Sequence, residues 1–114
     1  MRLAAAMAGV VVVMLVGVLG GAAMAADPVE TKLTIENNRF SPDEIKVKAN
    51  TPFVIVVTNK DKTPEEFESK ELKIEKVIPP GQTVKVRVRA LKPGTYNFVG
   101  EYHEKTAKGR IIAE

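Results

Sequence analysis

Cysteine is absent from all 114 residues, which removes disulfides, thiolate metal sites and cysteine nucleophiles together. Histidine occurs once, at position 103, so a zinc centre built on several imidazoles is excluded as well. The four methionines stand at positions 1, 7, 14 and 24, leaving no thioether beyond the apolar start of the chain and so no methionine-based copper(I) carrier. Serine appears at 41 and 69 alone, neither inside a glycine elbow, and no glycine-rich phosphate loop opens a helix. Basic residues are scattered among acidic ones and never interleave with aromatics in a run, so nucleic acid is not an expected partner.

What is present begins with a leader. Met1-Arg2 is followed by an uncharged span from Leu3 to Ala26, closing on Ala23-Met24-Ala25. A short positive start, an apolar stretch and small residues at the cleavage positions define a secretory signal peptide over residues 1–25, and imply export to the bacterial periplasm. An uncleaved membrane anchor is the alternative, since the run is long enough to span a bilayer. Cleavage leaves residues 26–114 as one domain with 16 basic against 14 acidic residues, net +2. A chain of that size without disulfides must rest on a compact apolar core, helped or not by a bound ion.

After Pro28 the pattern is that of strands. Alternation marks Lys32 to Glu36, Glu44 to Lys48 and Thr83 to Ala90, where Val84, Val86 and Val88 oppose Lys85, Arg87 and Arg89. Phe53 to Asn59 is a continuous β-branched run, expected as a central strand covered on both faces. Short strands are expected over Glu65 to Ser69, Lys73 to Ile78, Thr95 to Gly100 and Lys108 to Ala113, with Asn37 to Asp43 read as a break and a turn. Proline, glycine and asparagine punctuate these runs and no helical period is evident. The expected fold is all-β, an antiparallel Greek-key β-sandwich.

Chemistry-bearing residues gather in two stretches. Glu101 and His103 are two apart, so in an extended segment they project to the same side, and Glu66 and Glu68 share that relation. Brought to one end of a sandwich, Glu66, Glu68, Glu101 and His103 would offer carboxylate oxygens and one imidazole. That donor set suits Fe²⁺, Mn²⁺, Zn²⁺ or Cu²⁺ better than Cu(I). The plainer reading is a solvated edge whose charge guards against sheet-to-sheet aggregation, neutralised by Lys70, Lys73 and Lys76. No catalytic residue is assigned, and a chain this small has little room for a substrate cleft.

The runs Phe40-Ser41-Pro42-Asp43-Glu44-Ile45-Lys46-Val47-Lys48, Pro79-Pro80-Gly81-Gln82-Thr83 and Lys92-Pro93-Gly94-Thr95-Tyr96-Asn97-Phe98 resemble those of a cupredoxin-like domain. The resemblance covers essentially all of residues 26–114. Where the family places Cys, His and Met ligands for blue copper, this chain has Gly100, His103 and Ala107, and the upstream His falls in the Glu65-Glu66 region. A blue-copper site and its electron-transfer role are therefore not implied. The pattern Glu66-Phe67-Glu68 with Glu101-x-His103 is instead similar to the FtrB/EfeO-type periplasmic cupredoxins of bacterial ferrous-iron uptake. That resemblance implies an iron or copper ion held by Glu66, Glu68, Glu101 and His103. It also implies a partner in an inner-membrane iron permease or another periplasmic uptake component, and an accessory part in Fe(II) oxidation. A homodimer completing the coordination sphere stays open. Two other readings remain: a metal-free β-sandwich that docks a partner, and a periplasmic protein that binds or delivers copper.

Overall fold

Nine strands and one short 3₁₀ turn make up the structure, a computed structural model described here for residues 27–114. The expected signal peptide lies outside the described residues. In chain order the strands are β1 Val29–Glu36, β2 Arg39–Ser41, β3 Glu44–Val47, β4 Phe53–Asn59, β5 Glu65–Ser69, β6 Ile74–Ile78, β7 Thr83–Val88, β8 Gly94–Gly100 and β9 Lys108–Ala113. They form two sheets of order β2-β1-β4-β7 and β3-β9-β8-β5-β6. The all-β sandwich expected from the alternation is present, with no α-helix among the described residues.

The sheets are mixed. β1 runs parallel to β4 and β3 parallel to β9, while the other pairings are antiparallel. Parallel neighbours cannot be joined by a tight hairpin. The chain meets that requirement by crossing between sheets, as from β2 to β3 and from β3 to β4. Alternation within one strand is the same for either pairing, so direction is invisible in the sequence.

β2 occupies a stretch expected to be a break and a turn. Asn37 and Asn38 both take left-handed conformations (φ 56° and 57°), which is what a two-residue hairpin loop requires. That loop brings Arg39 opposite Glu36. The Asp61 carboxylate secures the loop from outside, accepting the N–H of Asn37 at 2.8 Å and of Asn38 at 2.9 Å.

β4 is central in its sheet, with Phe53, Val54, Ile55 and Val57 buried as its composition implies. Leu33, Ile35, Ile55, Val57, Ile78, Val86 and Ile111 fill the space between the sheets. At one end, Phe40 on β2 meets Phe67 on β5 and Phe98 on β8, with ring centroids 6.2 and 5.0 Å away. Phe67 and Phe98 stack at 4.8 Å. This aromatic knot fixes β5, which carries Glu66 and Glu68, and β8, which leads into the turn that carries Glu101.

Candidate metal centre

On β5 the pleat decides which glutamate goes where. Glu65, Phe67 and Ser69 face the core, and Glu66 and Glu68 face the other way. The antiparallel register then supplies their neighbours. Glu68 stands opposite Glu75 across the β5–β6 ladder and opposite Val99 across the β5–β8 ladder, where Phe67 meets Gly100. Continuing that register one step brings Glu101 beside Glu66. Carboxylate oxygens of Glu66, Glu68, Glu75 and Glu101 accordingly lie within 4.8 Å of one another.

Glu68 is only 8 % exposed, although it points away from the core, because the surrounding side chains cover it. Its carboxyl is raised above its ordinary value by burial first, then by a hydrogen bond with Glu75 and the charges of Glu101 and Glu75, against a smaller opposing effect of Lys70. Glu101 is raised chiefly by its hydrogen bond with Glu66, then by burial and the charges of Glu66, Glu75 and Glu104. In both, the crowding of negative charge favours the protonated form. Among the described residues no lysine or arginine comes within ion-pair distance of the four, so Lys70, Lys73 and Lys76 do not neutralise them by contact.

Of the residues singled out in the sequence, the structure brings Glu66, Glu68 and Glu101 together and adds Glu75. His103 is placed elsewhere. The segment Glu101–His103 is a 3₁₀ turn and not an extended strand. At three residues per turn, positions two apart diverge instead of sharing a face. The His103 ring is half-buried, and its Nδ1 lies 2.7 Å from Oε2 of Glu65. Glu75 was legible in principle: a four-residue loop over 70–73, closed by Lys73 with φ 59°, sets Glu68 opposite Glu75.

Gly100 and Ala107 surround the Glu65 carboxylate together with His103. A Cβ at Gly100 would lie 2.6 Å from Cδ of Glu65 and 2.7 Å from Cβ of Ala107. The three positions matched to blue-copper ligands thus converge, and what they enclose is a carboxylate. With no cysteine in the chain and this space filled, the residues do not fit a blue-copper centre.

A model of the cupredoxin-like domain matches residues 7–113. The chain belongs to this family. A Rickettsia prowazekii (strain Madrid E) protein of uncharacterised function is 39% identical over 83 residues, covering 73% of this chain and 66% of that relative. The copper(I)-bound metal-binding domain of the Streptococcus pneumoniae D39 Cu(I)-exporting P-type ATPase superposes with TM-score 0.68 at 17% identity, over 81% of this chain and 92% of that one. Auracyanin A, a blue copper protein of Chloroflexus aurantiacus, superposes with TM-score 0.64 at 15% identity, over 77% of this chain and all of its own. A chain of a heme-copper terminal oxidase dimer gives TM-score 0.63 at 22% identity, over 76% of this chain, which spans 65% of it. At these identities the solved structures establish the fold that this cupredoxin-like chain shares with copper proteins.

Proposed function

We propose that the protein binds a hard metal cation at Glu66, Glu68, Glu75 and Glu101, and serves as a periplasmic iron-handling component of ferrous-iron uptake. The observation that carries the proposal is the four-carboxylate cluster, with Glu68 buried inside it and no side-chain cation in contact. Glu68 is buried while Glu75 and Glu101 are exposed, so a cation reaching the cluster from solvent would offset the crowded charge around it. Carboxylate oxygens select hard ions, and an all-oxygen set holds Fe³⁺ more strongly than Fe²⁺. Such a site suits receiving and handing over iron beside an inner-membrane permease, with a second copy of the chain able to supply further donors. Glu65 takes Nδ1 of His103, which leaves Nε2 as the ring nitrogen that could join these ligands.

Copper is the second reading, favoured by the copper-binding neighbours of the fold. Copper(I) is disfavoured by the lack of thiolate and thioether, whereas Cu²⁺ outcompetes Fe²⁺ on most oxygen and nitrogen sites. Tight Cu²⁺ uptake therefore does not by itself distinguish the two. Anaerobic titration of the purified protein with Fe²⁺ and then Cu²⁺, in wild type and in Glu68→Gln and Glu101→Gln, tests the site. Saturable binding weakened by both substitutions supports it, and binding insensitive to both defeats it. Loss of iron-limited growth on deletion, restored by wild type and not by Glu68→Gln, would tie the site to uptake.

A further inference from the structure

Glu65 is 1% exposed, on the core face of β5 beside Phe67 and Ser69. A carboxylate in such a place must be fully partnered. Its Oε1 accepts the N–H of Glu66 at 3.0 Å and of Tyr102 at 2.9 Å, and its Oε2 meets Nδ1 of His103 at 2.7 Å. Two of these three partners belong to the 3₁₀ turn that also carries Glu101. The bonds cross 37 and 38 residues of sequence, so they tie two separate parts of the chain.

The tie begins where the backbone ladder stops. β5 and β8 pair at Glu68 with Val99 and at Phe67 with Gly100, and there the pairing ends. Past Gly100 the chain turns, closed on itself by Ala107 N–H to His103 O at 2.8 Å and Gly100 N–H to Ala107 O at 2.9 Å. In the continued register Tyr102 falls opposite Glu65, and its N–H meets a side-chain oxygen where a strand would offer a carbonyl. The missing Cβ at Gly100 leaves the room that this carboxylate fills.

We infer that Glu65 is the positioning residue of the carboxylate centre: through Tyr102 and His103 it holds Glu101 against Glu66, Glu68 and Glu75. This rests on the metal reading above. With Oε1 accepting two backbone N–H groups and Oε2 standing as the acceptor toward the ring, the arrangement puts the His103 proton on Nδ1. Glu65→Gln keeps the volume but turns an amide N–H₂ toward Nδ1, which forces the proton to Nε2 and loosens the tie.

The test combines Fe²⁺ and Cu²⁺ titration of the purified full chain with imidazole ¹⁵N shifts of the ion-free protein. Variants are Glu65→Gln, Glu101→Gln and the pair together. Glu65→Gln should shift the His103 tautomer and lower affinity by about tenfold to a hundredfold, as loss of an orienting partner does at metal sites. The double variant should bind no more weakly than Glu101→Gln alone, because the group being positioned is gone. Multiplying losses, or unchanged affinity in Glu65→Gln, overturns the assignment. So does imidazole nitrogen coupling in the wild-type Cu²⁺ resonance spectrum, which would make His103 a ligand. Should Glu65→Gln fail to fold, His103→Ala severs the same tie from the loop side and must reproduce the loss. A wild type that takes up neither ion defeats the metal reading itself, whereas one that binds, with Glu65→Gln equal to it, defeats only the role of Glu65.

Discussion

Glu68 and Glu65 are three residues apart on one strand and meet opposite solutions to the same problem. Glu65 points to the core and is satisfied by three donors. Glu68 points the other way, is nearly as buried, and faces other carboxylates. The raised values of Glu68 and Glu101 fix the sign of a pH effect. A folded-state value above the unfolded 4.5 means that the folded protein binds more protons in the interval between them. The stability these groups contribute is complete below the unfolded value and is lost as pH rises through the folded ones. The melting temperature of ion-free wild type, compared with that of Glu68→Gln, should therefore fall more steeply from acid toward neutral pH. At neutral pH Glu68→Gln should be the more stable protein while binding Fe²⁺ or Cu²⁺ at least tenfold more weakly.

At the scale of elements, the loop after β8 depends on small residues. Gly100→Ala drives a Cβ into the Glu65 carboxyl and Ala107. The expected cost is about 1–3 kcal/mol, as for overpacking elsewhere, read by chemical denaturation. A Glu65→Ala background, which vacates the space, should recover part of that loss. The β1–β2 hairpin depends on Asp61 in a similar way, since Asn37 and Asn38 both donate to it. Asp61→Ala should cost about 1–3 kcal/mol, because hydrogen bonds to a charged acceptor are the stronger kind. The exchange of the Asn37 and Asn38 amides should quicken with it.

For the molecule as a whole, the aromatic knot of Phe40, Phe67 and Phe98 locks the two sheets where the acidic residues sit. Phe67→Ala should cost about 3–5 kcal/mol by the usual scale for buried aromatics, and should abolish ion binding because β5 loses its seat. An ion that binds only the folded chain should raise stability by about 2.7 kcal/mol at a hundred times its dissociation constant. For a domain of this size that is a rise on the order of 10–20 °C in melting temperature. Thermal scans with and without Fe²⁺ under anaerobic conditions read it directly.

By itself the sequence determined every strand but β2, the sandwich and the central place of Phe53 to Asn59, because the alternation and the β-branched run are local properties of the chain. It also placed Glu66 and Glu68 on one face, for the same reason. Tertiary structure decided the rest. Sheet partners and their direction come from crossovers between sheets, and one strand's pattern does not record them. Register across β5, β6 and β8 brought Glu75 into the cluster, and a 3₁₀ turn in place of an extended segment carried His103 away from Glu101 to Glu65. Carboxylates at positions 66, 68, 75 and 101 meet because two ladders and one turn align them, and that alignment depends on contacts between strands far apart in the chain.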